Sequence, residues 1–185
     1  MEIILIRHGE PDYAPCDERG FIGQGRALAP LTPLGVEQAE KAAEDPLLQG
    51  TELMISSPYT RALQTAAILS RKTGIPLTVE VDLHEWVPDL TWQDNGSENM
   101  ALHRDFWACQ GEYPKGETRR WETVEQIIRR IDPVLKRYLQ AGYHKIIVVA
   151  HGGVIRRLTG NNKIDYCTPC VVEYTEHYPY YGWVE

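Results

Sequence analysis

Two histidines stand out because each ends an apolar run and is followed by glycine. Ile3-Ile4-Leu5-Ile6 leads into Arg7-His8-Gly9, and Ile146-Ile147-Val148-Val149 leads into Ala150-His151-Gly152-Gly153. Unbroken apolar runs of this length suit strands buried on both faces. In open α/β sheets ligands bind at the C-terminal edge of such strands, and Gly9 and Gly152 let the backbone turn and approach a ligand closely. If the two strands are neighbours, His8 and His151 face one pocket. A third short strand, Leu53-Met54-Ile55, leads through Ser56-Ser57-Pro58 to Arg61 in the first turn of a helix. A cation there opposes the helix dipole, and a bound anion would offset that cost. Arg7, Arg61 and the two imidazoles around one point suit a tetrahedral dianion, because guanidinium forks bind phosphate oxygens in pairs. Glu10 and Glu85 are acids near strand ends, and one of them could protonate a leaving oxygen. Such a set supports phosphoryl transfer without metal or cofactor, because fixed cations and imidazoles meet the charge of the moving group.

The elements that must position these residues alternate between strand and helix. That order predicts a three-layer α/β/α sandwich with a mostly parallel central sheet. Thr32-Pro33 reads as a helix start, with Thr32 as cap, and the helix stops near Asp45-Pro46. A helix follows from about Thr60 to Lys72, with Gly74 as its stop. Leu77, Val79, Val81 and Leu83 alternate with polar residues, which predicts an edge strand with one wet face. Residues 86–120 lose periodicity while holding Trp86, Trp92, Phe106, Trp107 and Tyr113. This stretch reads as an irregular insertion or lid within one domain spanning 1–185. A long amphipathic helix is predicted from about Trp121 to Gln140, a further helix at Val154 to Thr159, and a last strand at Val171 to Tyr174.

The 185 residues carry a formal net charge of −7, which disfavours nucleic acid and anionic membrane as partners. Any anionic substrate must therefore be caught by a local cluster of positive groups. No apolar run approaches the roughly 20 residues of a membrane span, and the N-terminus does not read as a signal peptide, so the cytoplasm is expected. The four cysteines form no disulfide framework, and Cys167-Thr168-Pro169-Cys170 reads as chance spacing in a turn before a strand. The sequence sets no oligomeric state.

Further blocks carry a resemblance. Arg7-His8-Gly9-Glu10 resembles the signature of the histidine phosphatase superfamily, the phosphoglycerate mutase-like family. Pro30-Leu31-Thr32 with Gly35, Gln38 and Ala39 resembles its next block. Ser56-Ser57-Pro58 with Arg61-Ala62 and Gln64-Thr65-Ala66 resembles the third. Leu83-x-Glu85, Gly116-Glu117-Thr118 and Ala150-His151-Gly152-Gly153 follow in family order. The resemblance implies that His8 attacks phosphorus and carries the phosphoryl group, while Arg7, Arg61 and His151 hold its oxygens. It implies that Glu85 gives a proton to the leaving alcohol and then takes one from water. The segment after Glu85, Trp86-Val87-Pro88-Asp89, departs from the family pattern, so Asp89 or Asp82 is an alternative acid. Glu10, with Gly9 and Gly152, is expected to shape the pocket.

The mutase branch usually continues from R-H-G through an acid or amide to Ser-x-Trp-Asn. Here Pro11 stands in place of Ser and Ala14 in place of Asn. Both losses remove groups that hydrogen-bond a phosphate, which favours hydrolysis over mutase chemistry, since a mutase must keep a bisphosphate bound as it reorients. The expected function is hydrolysis of a small phosphorylated metabolite. A mutase-type phosphotransferase is the runner-up, and a non-catalytic phosphoester-binding module the third reading.

Overall fold

The computed structural model describes residues 1–93, 96 and 98–184. Among them, strands β1 (Glu2–Arg7), β2 (Leu53–Ser56), β3 (Leu77–Val79), β4 (Lys145–Ala150) and β5 (Cys170–Glu173) form one sheet in the order β3-β2-β4-β1-β5. β1, β2, β3 and β4 pair in parallel, and β5 runs antiparallel along β1. The helices are α1 (Ala14–Glu18), α2 (Pro33–Ala42), α3 (Thr60–Thr73), α4 (Asn99–Ala108), α5 (Val124–Gln140) and α6 (Gly152–Thr159).

The two central strands explain the three layers. Alternate side chains of a strand point to opposite faces. Ile3, Leu5, Ile146 and Val148 face one way and pack with Ile127, Ile131 and Leu135 of α5 and Val154, Ile155 and Leu158 of α6. Ile4, Ile6, Ile147 and Val149 face the other way and pack with Ala39 and Ala42 of α2 and Ala62, Ala66 and Leu69 of α3. All eight strand residues are fully buried. Each such side chain contributes roughly 1.5–3 kcal/mol relative to exposure, so the β1–β4 pair anchors the molecule and the histidines that follow it.

Capping agrees with the sequence at α2, where Pro33 opens the helix and the Thr32 hydroxyl accepts from the Gly35 N–H at 2.9 Å. The long helix begins three residues later than predicted. Thr123 and Gln126 form a reciprocal capping box, and Val124 is the first helical residue. Trp121 and Glu122 stay outside the helix, both buried: the Trp121 indole donates to Asp105, and Glu122 pairs with Arg130.

One further expectation is corrected. The alternating run does not stay a strand to Leu83. β3 ends at Val79 because its only strand partner, β2, ends at Ser56, and Val81–Leu83 tightens into a 3₁₀ turn that buries Leu83. Within the insertion at 86–120 the chain forms one short helix, α4. Residues 94, 95 and 97 of that stretch lie outside the described residues.

Candidate active site

β1 and β4 are hydrogen-bonded neighbours with Arg7 opposite Ala150, so the residues that follow, His8 and His151, emerge side by side. Their ring centroids are 5.1 Å apart. Arg61 arrives from the other side, in the first turn of α3, and its Nε–H donates to His8 Nε2 at 3.2 Å. The Gly9 N–H donates to Thr65 Oγ1 one turn further along α3, which ties the loop after β1 to that helix. Gly9 is required here by space: a Cβ would stand 2.5 Å from the backbone oxygen of Gly35.

The tautomer of His8 follows from its partners. Nδ1 lies 2.7 Å from the Gly9 carbonyl oxygen, which can only accept, so Nδ1 carries the hydrogen. Nε2 is left with its lone pair, facing the Arg61 guanidinium. Burial, then the Arg61 charge and more weakly that of Arg7, hold the His8 pKa down to about 3, against the opposing pull of the Gly9 carbonyl. His8 is therefore a neutral imidazole at ordinary pH, its unprotonated Nε2 accepting from the Arg61 Nε–H. Burial first, then Arg61 and His8, hold His151 well below its usual range as well.

A cavity of about 310 Å³ opens over His8. Arg7, Arg61 and Glu85 line it with Tyr59 and Tyr166. Arg7 donates through Nη1 to the Ile164 carbonyl at 2.7 Å and stacks on the Tyr166 ring at 4.1 Å, and its buried Nε has no partner. His151 does not line the cavity. It is fully enclosed, with Nε2 2.7 Å from Ser57 Oγ and Nδ1 without a partner.

The acids separate by position. Glu85 follows the Val81–Leu83 turn and lines the cavity. Its Oε1 accepts from the Trp86 N–H at 2.8 Å and the Gly153 N–H at 3.2 Å, at the start of α6. A Cβ on Gly153 would stand 2.3 Å from that oxygen, so the glycine makes room for the carboxylate. Asp89 is buried away from the cavity in a two-pronged ion pair with Arg120, at 3.1 and 2.8 Å. Asp82 is exposed and does not line the cavity. Glu10 also turns away, its carboxylate accepting from Thr32 Oγ1 at 2.7 Å and its N–H donating to Gln38. Gly152 is buried as the first residue of α6.

Sequence reasoning missed several groups in this arrangement. Ser57 was visible only as part of the Ser56-Ser57-Pro58 block, and its hydroxyl now meets His151. Gly153 was quoted beside His151 without its contact to Glu85. Tyr166 and His103 lie in stretches with no periodic signal, and both line the cavity.

An unprotonated imidazole nitrogen, two guanidinium groups and a carboxylate at the C-terminal edge of a parallel sheet have the chemistry to hold a tetrahedral oxyanion. The chain belongs to the histidine phosphatase superfamily, branch 1, whose family model matches residues 3–168. It is 28% identical over 169 residues to a glucosyl-3-phosphoglycerate phosphatase of Mycolicibacterium vanbaalenii, covering 85% of this chain and 72% of that one. It is 32% identical over 161 residues to a "Probable phosphoglycerate mutase GpmB" of Yersinia pestis, covering 82% and 70%. The solved native structure of a mycobacterial glucosyl-3-phosphoglycerate phosphatase superposes with a TM-score of 0.64 at 26% identity, covering 83% and 75%.

Proposed function

We propose that the protein hydrolyses phosphomonoesters of small metabolites in two steps through a phosphohistidine on His8. The observation that carries this reading is the state of His8: Nδ1–H is tied to Gly9, and the Nε2 lone pair faces the cavity cation Arg61. In the first step Nε2 forms a bond to phosphorus as the bond to the ester oxygen breaks. Glu85 gives its proton to that departing oxygen. In the second step water attacks phosphorus, Glu85 takes its proton, and the P–N bond breaks to return the lone pair to Nε2. Arg7 and Arg61 hold the oxygens of the transferring group while its charge shifts. His151 joins them by turning its ring from Ser57 Oγ toward a phosphoryl oxygen. No step routes through a metal.

The same reading has the protein act in the cytoplasm on phosphorylated metabolites and not on nucleic acid. The net charge of −7 supports this. No helix among the described residues is long and apolar enough to cross a membrane. Pro11, where mutases usually carry Ser, lines the cavity and offers no hydrogen-bond donor, which supports hydrolysis over mutase chemistry. The test is turnover of an aryl phosphate with and without EDTA. Wild type keeps its rate in EDTA and shows an acid-labile phosphoryl group on His8 after rapid quench. His8→Ala loses turnover, and undiminished activity in that variant would overturn the mechanism. Conversion of 3-phosphoglycerate in the presence of 2,3-bisphosphoglycerate, faster than hydrolysis, would establish the mutase reading in its place.

A further inference from the structure

Behind Glu85 lies a second cavity, of about 220 Å³, which shares Glu85, Trp86 and His103 with the wall of the first. Its character is different. Phe106 and Trp107 of α4, Val124 and Ile127 of α5, and Trp183 near the C-terminal end give it an aromatic and aliphatic lining. The rings are locked against one another: Trp86 meets Phe106 at 4.5 Å between centroids, and Trp107 meets Trp183 at 4.9 Å. An apolar cavity of about 150 Å³ already admits a benzene ring.

Two cations, Arg156 and Arg157, line this cavity beside the apolar groups, and Arg157 is the buried one. Arg157, on α6, is 4% exposed and lines the cavity. Its Nη1 donates to the Gly182 carbonyl, and its buried Nε has no partner among the described residues. No carboxylate among the described residues forms an ion pair with it. Glu85, the acid in the same wall, is tied to the Gly153 and Trp86 N–H groups instead. The neighbouring Arg156 donates to the Asn162 carbonyl, so it adds positive charge and no counter-ion. Burial, then the Arg156 charge, lower the Arg157 pKa to about 10 against a weaker opposing pull from Glu85, which leaves it cationic near neutrality. Among the described residues only Glu85 offsets this charge, from a distance and without an ion pair, and a buried cation so placed is costly unless a partner of opposite sign binds beside it. The proposed hydrolysis has no use for this cation.

We infer that this second cavity is a binding site for a small aromatic carboxylate, its ring held among Trp86, Phe106, Trp107 and Trp183 and its carboxylate anchored by Arg157. The anion has two possible sources with the same chemistry. It is either part of the leaving group of the phosphoester, reaching past Trp86 and His103 from the phosphoryl site, or a separate acid that binds behind Glu85.

The probe is phenylacetate, compared with phenylacetamide, which has nearly the same shape and no charge. Calorimetric titration of the full chain should give a dissociation constant at least tenfold lower for the acid. Arg157→Gln should remove that preference and Arg157→Lys should keep part of it. Trp107→Ala, at a half-exposed position, should weaken both probes and leave their ratio intact. Equal affinity of wild type for acid and amide, or a preference that survives Arg157→Gln, would overturn the assignment. Should Arg157→Gln not fold, the wild-type comparison still decides. Two further arms tell the sources apart. A leaving-group site makes phenylacetate competitive against aryl phosphate and lowers KM about tenfold for 4-(carboxymethyl)phenyl phosphate relative to phenyl phosphate. A separate acid binds equally with vanadate present and inhibits non-competitively. The ester comparison rests on the phosphatase reading. The binding comparison does not, so the two can fail independently.

Discussion

Lowering the pH separates His8 in the folded protein from His8 in the unfolded chain. Burial, Arg61 and Arg7 hold the folded value to about 3, whereas the ordinary value is 6.5. Between those limits the unfolded chain binds a proton that the folded protein refuses, so stability falls with falling pH. The contribution is fully present above pH 6.5 and is lost progressively as the pH drops toward 3. For a single group with these two values the loss is about 1 kcal/mol at pH 5.5 and about 3 kcal/mol at pH 4.5. His151 is held down for the same first reason, burial, and works in the same direction. The assay is urea unfolding of wild type and His8→Gln at about pH 7, 5.5 and 4.5. Glutamine keeps a polar amide at the site and cannot titrate, so the difference between the two proteins isolates His8 from the acid-titrating carboxylates. Wild type should lose about 1–3 kcal/mol relative to the variant across this range. A difference that stays constant with pH would mean that His8 is not held neutral, and the argument for a permanently available Nε2 would fall with it.

Arg61→Ala should lower turnover of an aryl phosphate by roughly 10²–10³-fold, because it removes a donor aimed at the transferring group, with circular dichroism unchanged. Glu85→Gln should slow hydrolysis of an alkyl phosphate while largely sparing p-nitrophenyl phosphate, whose leaving group needs no proton; equal losses on both esters would count against Glu85 as the acid. Gly153→Ala should reproduce that split without removing a carboxylate, since its Cβ would meet Glu85 Oε1 at 2.3 Å and push the acid off its seat. Gly9→Ala should cost about 1–3 kcal/mol in urea unfolding, because the obstacle at 2.5 Å is the Gly35 backbone, which cannot step aside as a side chain can.

Residues facing the sheet centre were readable because burial on both faces leaves no alternation to interpret. β1 and β4 are unbroken apolar runs, and each run ends on the histidine that the sheet edge then presents. Arg61 was readable for a related reason: the short run of β2 and the turn after it left few places for the first helical turn to lie. Residues 86–120 were less legible, because α4 is held by contacts made far away in the chain. Trp121 donating to Asp105, and Phe106 against Trp183, cannot be seen as a period in any window. Tyr166 likewise owes its place under Arg7 to a loop with no pattern of its own.

The carboxylate of the cavity lies between these extremes. Spacing alone leaves Asp82, Glu85 and Asp89 as equals within eight residues. Their separation depends on where β3 loses its partner. A strand carried on to Leu83 would keep side chains alternating up to the next loop. Instead β2 ends at Ser56, whose carbonyl takes the Glu80 N–H, and the chain past Glu80 has no ladder to join. Its backbone groups find partners in the Val81–Leu83 turn, which buries Leu83 and leaves Asp82 in solvent. Two residues on, Glu85 comes up against the start of α6, where the bare Gly153 N–H donates to its carboxylate. Asp89 is taken by Arg120 from the far end of the insertion. The carboxylate that shares the cavity with His8 is thus set by the length of the neighbouring strand and by a missing Cβ, and neither is visible from its own surroundings in the sequence.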